Sequence, residues 1–259
     1  MDERELRELA VRQLADYDRH DPGTAFADGL QLSIEQAYRV QSLVAELRAG
    51  RGEKLIGWKV GCTSPVIRQR LRVDHPVFAR LFETESWPTK TTLPQSQFAG
   101  LAIEGELAVR LDSGLAPGVS ESETAAAIEC VFPVIELHNL IFRAEPSAGE
   151  LIANNAIHAG FVFGDSTAAF DPRPARLHIE FETSELATVE GSELTQTILN
   201  SLSWLAAELP RHGESLEAGQ TVLCGSVADL FPIANSGELR VTTDRFGSVA
   251  CSFTETACQ

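Results

Sequence analysis

Ten residues, Leu101-Ala-Ile-Glu-Gly-Glu-Leu-Ala-Val-Arg110, set two carboxylates inside an otherwise apolar run. Read as a β-strand, the run sends successive side chains to opposite faces, so residues two apart share a face. Glu104 and Glu106 then point together, while Ile103, Leu107 and Val109 point the other way with the Gly105 backbone. Neighbouring carboxylates on one face repel each other, and the apolar flanks predict at least partial burial. The solvated face of an edge strand carries Glu-x-Glu equally well. If the pair is buried, a divalent cation resolves the repulsion, because Mg²⁺, Mn²⁺ and Ca²⁺ select hard oxygen ligands. A second apolar run, Val131-Phe-Pro-Val-Ile-Glu-Leu137, carries one more isolated carboxylate, Glu136. Together the three glutamates read as a candidate metal site.

Charge narrows the partners. The 259 residues hold 21 Lys and Arg against 37 Asp and Glu, a formal net charge of −16. Such a chain repels phosphate backbones, so no nucleic-acid partner is expected. A small anionic substrate needs a local cation to bind here. No apolar run approaches the length of a membrane span, so no membrane partner is expected either. The charged opening MDERELRELA is unlike a secretory signal peptide, and a cytoplasmic location is expected. Cys62, Cys130, Cys224, Cys251 and Cys258 form no CxxC pair and read as reduced, mostly buried thiols.

Helical spacing covers residues 3–19 through Leu6, Leu9, Ala10, Leu14 and Tyr17. A second helix begins at Ser33, with Gln36 in the capping-box position, and closes at Gly50. Beyond residue 53 strands dominate: Leu55–Gly61, the two glutamate runs, 177–183, 221–224, 238–243 and 248–253. Short helices are expected around 66–71 and from Ser120 to near Glu129, and an amphipathic one over 195–209. Residues 151–164 read as a loop leading into a strand. The organisation expected is a helical region over 1–52 and a β-rich catalytic domain over 53–259. The class is α+β, since helices between the strands are too few for a doubly wound parallel sheet.

Lys59 lies within the apolar Leu55–Gly61 run. One reading is an edge-strand lysine reaching out to water. The other is a partly desolvated ammonium facing an anionic substrate, where a lowered pKa suits proton transfer. His158 reads as a hydrogen-bonded structural histidine.

Several motifs, in order, resemble the hydratase/decarboxylase branch of the fumarylacetoacetate hydrolase superfamily, and the resemblance runs essentially end to end. Ile56-Gly-Trp-Lys-Val-Gly-Cys-Thr-Ser64 is similar to that family's G-[YL]-K-[IVM]-G-L-T-S, and Val73-Asp-His-Pro-Val-Phe-Ala-Arg-Leu81 to its V-D-x-P-x-[YF]-G-x-L. Ile103-Glu-Gly-Glu106 resembles I-E-A-E, Pro133-Val-Ile-Glu136 resembles P-x-[IV]-E, and Ala218–Ser226 resembles A-G-D-x-[VI]-L-T-G-S. The resemblance implies a mixed β-roll or barrel core behind the helical segment, Mg²⁺ or Mn²⁺, and homo-oligomers, with hydratase and decarboxylase subunits able to associate. It implies Glu104, Glu106 and Glu136 as metal ligands and Lys59 as an active-site residue. Asp74 and His75 are the candidates for a second proton-transfer group, and Thr63, Ser64 and Ser226 for substrate hydrogen bonds.

The activity implied is a metal-dependent lyase, hydratase or decarboxylase, acting on a small 2-oxo or 2-hydroxy-dienoic acid through a metal-stabilised dienolate. Val77 stands where hydratases usually carry aspartate, which tilts the choice towards decarboxylation. Asn139-Leu140-Ile141 and Asn154-Asn-Ala-Ile-His158 depart from the family's D-S-R and D-N-A-S-S. Two alternatives remain: C–C bond hydrolysis of an acylpyruvate-like substrate, with His20 or His75 as base, and a non-catalytic partner subunit.

Overall fold

The computed structural model describes residues 1–27, 29–141, 146–164 and 168–255; Cys258 lies outside them. Helix α1 (Glu3–Asp18) starts with a capping box between Asp2 and Glu5. Helix α2 (Ile34–Gly50) starts with the reciprocal bonds between Ser33 and Gln36 that the sequence predicts. Gln41 on α2 is buried, and its amide donates to the carbonyls of Phe78 at 3.1 Å and Ile152 at 2.9 Å. Tyr38 stacks on Phe78 with ring centroids 4.4 Å apart. Backbone acceptors and aromatic packing thereby fasten the helical start to the β-rich remainder of the chain.

The chain continues through β1 (Leu55–Gly61), α3 (Pro65–Leu71), β2 (Val77–Phe82), β3 (Ser86–Pro88), β4 (Thr91–Pro94) and β5 (Leu101–Leu111). Next come α4 (Glu121–Ala126), β6 (Ile128–Asn139), α5 (Ala148–Ala153), β7 (His158–Phe163), β8 (Ala175–Phe181) and β9 (Ser184–Gly191). Helix α6 (Glu193–Glu208) precedes β10 (Thr221–Leu223), β11 (Phe231–Pro232), β12 (Gly237–Thr243) and β13 (Ser248–Thr254). One sheet runs β2-β1-β10-β5-β6-β7-β3, with β11 added to β5, and the other runs β4-β13-β12-β8-β9. Both are mixed, since β1–β10, β3–β7 and β4–β13 pair in parallel and the remaining pairs are antiparallel. The class is α+β, a helical start followed by a curled mixed sheet of β-roll type.

Strand β5 divides the interior. Ile103, Leu107 and Val109 enter the main core, which runs from Leu6 in α1 to Phe253 in β13. Gly105 shares that face, where a Cβ would stand 2.7 Å from Ile179 Cδ1 and 3.0 Å from Val241 Cγ2. Only glycine lets β8 and β12 close over β5 at this point. The opposite face of the sheet holds a smaller apolar cluster that includes Leu81, Ala108, Phe132, Val134 and Leu223.

Three local expectations change. The helix after Ser120 stops at Ala126, and Ile128 already belongs to β6. Residues 148–153 form α5, a six-residue helix too short for periodicity to show in the sequence. Strand β9 has no counterpart in the sequence pattern because it is a half-exposed edge without a strong apolar face.

Candidate metal and substrate site

In the antiparallel β5–β6 pair Glu104 lies directly opposite Glu136, and Glu106 lies opposite Val134. Cross-strand partners share a face, so the two-residue alternation collects all three glutamates on the side away from the main core. His138 joins them, two residues beyond Glu136 on the same strand. Its Nε2 is 3.1 Å from Glu104 Oε2 and 3.5 Å from Glu136 Oε2. One donor atom from each of Glu104, Glu136 and His138 lies within 4.8 Å of the others. These groups, with Glu106 beside them, could hold a cation.

Lys59 arrives from β1, which is separated from β6 by β10 and β5. Three interstrand spacings in a flat sheet put the two backbones about 14 Å apart, beyond the reach of the paired side chains. The observed separation of Lys59 Nζ from Glu136 Oε1 is 3.1 Å. Curling of the sheet closes the gap.

His158 completes the cluster, with Nδ1 2.6 Å from Glu136 Oε1. It comes directly after three residues, Asn155, Ala156 and Ile157, with φ between 50 and 56°. Left-handed backbone costs roughly 1–2 kcal/mol per residue, and most for a β-branched one. Asn155 secures the strained turn by bonding both backbone groups of Arg80, accepting at 2.8 Å and donating at 2.9 Å. Strain held this way at the rim of a cluster of ionisable groups marks a functional turn.

The cluster is dry. Lys59 is 3% exposed, and Glu106, Glu136 and His138 are each 1% exposed. Burial alone would lower the Lys59 pKa, but the charges of Glu136, Glu104 and Glu106 outweigh it and hold the ammonium above its ordinary value. For Glu136, burial opposes ionisation, yet Lys59, His138 and His158 keep its carboxyl below the usual range. Glu106 goes the other way. Burial first, then the charges of Glu136 and Glu104, push it well above the carboxylate range. Both Glu106 oxygens are buried with no donor reaching them among the described residues, and the neighbouring Glu136 carboxylate is the group a protonated Glu106 faces. Three carboxylates and one ammonium leave two negative charges, the charge a divalent ion neutralises. The donor set fits such an ion.

A cavity of ≈ 340 Å³ opens over Lys59, Glu104 and His138. Its walls are largely apolar, including Ile67, Leu71, Leu151, Ile157 and Leu230, with Arg70 also on the lining. Thr63, Ser64 and Ser226 also line it. The Ser226 hydroxyl is engaged in a local turn, donating to the Ala228 carbonyl at 3.0 Å and accepting from its amide at 3.1 Å. Thr63 Oγ1 donates to the Ser226 carbonyl at 3.3 Å. A second space, beside Gln13, Tyr17, Arg48 and Arg80, is only ≈ 40 Å³.

Asp74 and His75 do not line the cavity. Asp74 is exposed, and His75 turns its ring against Trp204, 6.2 Å between centroids, with Nδ1 on the Pro76 carbonyl. His20 is exposed and also lies off the cavity, so neither histidine is placed to act as the base that C–C hydrolysis requires. Sequence reasoning misses His138 altogether; it reads His158 as a hydrogen-bonded histidine, and the bond it makes is to Glu136. The available sign was Glu136-x-His138, the same two-residue spacing that singles out Glu104 and Glu106.

No family model matches the chain. The chain is 29% identical over 230 residues to a 2-keto-4-pentenoate hydratase of Burkholderia vietnamiensis, covering 85% of this chain and 86% of that one. It is 31% identical over 193 residues to a 2-hydroxypent-2,4-dienoate hydratase of Pseudomonas putida, covering 71% and 86%. Its backbone matches 4-oxalocrotonate decarboxylase from Pseudomonas putida G7, solved with magnesium and adipate, at a TM-score of 0.90, with 23% identity over 98% of this chain and 99% of that one. The fold is therefore the β-roll of the fumarylacetoacetate hydrolase type. Sequence and fold together decide the family. The chain belongs to the fumarylacetoacetate hydrolase superfamily, in its hydratase/decarboxylase branch.

Proposed function

We propose that the protein is a divalent-metal-dependent lyase of the hydratase/decarboxylase type, acting on a small 2-oxo or 2-hydroxy-dienoic acid. The observation that carries the reading is the convergence of Lys59 and Glu104 on the lining of one cavity, with Glu136 and Glu106 buried directly behind them. Glu104, Glu106 and Glu136 would hold Mg²⁺ or Mn²⁺. When bound, the ion supplies Lewis-acid polarisation of the oxygens of a 2-oxo acid.

The chain's own groups do the rest. Lys59, kept charged by Glu136, attracts the substrate carboxylate and has a proton to deliver to carbon. Apolar walls keep bulk water from the reacting atoms and strengthen the ammonium's pull on developing negative charge. Thr63 and Ser64 would hydrogen-bond the substrate from the wall, while Ser226 shapes that wall through its turn. His158 holds the Glu136 carboxylate in place.

Decarboxylation is the favoured reaction. Val77 is a buried apolar residue, and Asp74 and His75 lie off the cavity. The two candidates for a second acid in adding water therefore lie away from the substrate, whereas loss of CO₂ needs an electron sink more than a second acid. The test is incubation with Mg²⁺ or Mn²⁺ and either 4-oxalocrotonate or 2-hydroxypenta-2,4-dienoate. Release of CO₂ from the first is expected, and hydration of the second without decarboxylation of the first would reverse the choice.

The chemistry falls to residues 53–259, since every residue lining the cavity lies between 59 and 230. Residues 1–52 then act as a helical cover. The proposal includes a cytoplasmic, homo-oligomeric enzyme, with a hydratase/decarboxylase partner subunit where one is made. No helix among the described residues is long and apolar enough to cross a membrane. Light scattering on the purified protein tests the oligomeric assignment.

A further inference from the structure

We propose that His138 is itself a metal ligand, so that the site selects a first-row transition cation over Mg²⁺. The inference rests on the metal-dependent reading and concerns which donors this chain supplies to the ion. The donor atoms that lie within 4.8 Å of one another are two carboxylate oxygens, from Glu104 and Glu136, and one imidazole nitrogen, from His138. Mg²⁺ demands a near-octahedral set of oxygens, whereas Mn²⁺, Fe²⁺, Co²⁺ and Zn²⁺ accept imidazole beside carboxylate. A nitrogen at this position changes which ions the site prefers.

Strand geometry places the ring. Residues 136 and 138 leave β6 on one face, and Nε2 stands between Glu104 and Glu136, 3.1 and 3.5 Å from their Oε2 atoms. Facing two carboxylates, which only accept, Nε2 carries the ring proton. Nδ1 has no hydrogen-bond partner among the described residues, so only the carboxylates hold the proton on Nε2, and no donor facing Nδ1 opposes its transfer there. With a cation at the carboxylates, the proton sits on Nδ1 and the Nε2 lone pair coordinates. His158 plays a different part, because its Nδ1 is engaged at 2.6 Å with Glu136 and its ring orients that carboxylate. Glu106, two residues from Glu104 on the same face, is the independent sign of an ion here. Its carboxyl is 1% exposed, no donor among the described residues reaches either oxygen, and its sole hydrogen-bonding neighbour there is the Glu136 carboxylate, a pairing a cation would replace.

Pulsed electron paramagnetic resonance of the full chain loaded with Mn²⁺ tests the proposal. Wild-type protein is expected to show ¹⁴N modulation from a directly bound imidazole. Labelling with ¹⁵N-histidine replaces it with a ¹⁵N pattern, a measurement that needs no substitution. His138→Val is expected to lose the coupling while His158→Ser keeps it. The same His138→Val protein is expected to bind Mn²⁺ more than about tenfold more weakly, with Mg²⁺ affinity changing less than about threefold. Bound Mn²⁺ without nitrogen coupling, or coupling that survives His138→Val, overturns the inference and leaves the metal-dependent reading intact. Failure of wild-type protein to bind either ion overturns both.

Discussion

Lys59 on β1 and Glu136 on β6 meet at 3.1 Å, although two strands lie between them in the sheet and 76 residues in the chain. Both are almost fully buried, and each sets the other's charge state. The pair joins the ammonium to the carboxylates at the floor of the cavity.

Removing the ammonium acts twice. Lys59→Met is expected to lower turnover by about 10²–10⁴-fold, the usual worth of a positioned proton-transfer group. It also strands the buried Glu136 charge, at a cost of about 3–5 kcal/mol in the metal-free protein. Steady-state kinetics and thermal melts of the same variant check both. Turnover within threefold of wild type would remove Lys59 from the chemistry.

Glu106 gives the metal-free protein a pH signature. Its folded pKa is raised well above the ordinary 4.5 by burial and by Glu136 and Glu104. A carboxyl raised in this way contributes most stability below its unfolded value, and that contribution is lost as pH rises through the folded pKa. Metal-free melting temperature is therefore expected to decline as pH rises above about 5. Glu106→Gln is expected to flatten the decline and to abolish stabilisation by added Mg²⁺ or Mn²⁺. Parallel pH profiles for the two proteins would contradict the assignment.

Asp74 and His75 lie off the cavity, and their truncation is a sharp control. Asp74→Ala and His75→Ala are each expected to leave kcat/KM within about twofold of wild type, the effect of a substitution of about 0.5 kcal/mol or less. A loss of a hundredfold in either would put these groups back among the proton-transfer candidates.

Gly105 separates the site from the core by absence of a side chain. Gly105→Ala forces a methyl against Ile179 and Val241. The expected cost is about 1–3 kcal/mol of overpacking, read as a lower urea midpoint. Because Glu104 and Glu106 flank it, a weaker cation affinity is expected as well, and calorimetry checks it.

Much of this architecture is legible in the sequence because it arises from local periodicity. Alternation along 101–110 and 131–137 announces strands with carboxylates on one face, and Ser33-x-x-Gln36 announces a helix start. The motif order announces the family. Helix α5 and strand β9 escape because one is too short and the other too exposed for any period to register. His75, within the V-D-x-P motif, draws attention by its place in the sequence, yet it packs against Trp204.

Which side chains share a strand face is a local property, and so the chain's own order of residues decided that Glu104 and Glu106 point together and that Glu136 and His138 do likewise. Meeting across the sheet is a different matter. The β5–β6 register set Glu104 against Glu136, sheet curvature carried Lys59 to them, and the left-handed turn at 155–157 turned His158 inward. Register, curvature and turn geometry arise from packing between segments far apart in the chain. They belong to the tertiary structure because no single segment contains the forces that select them.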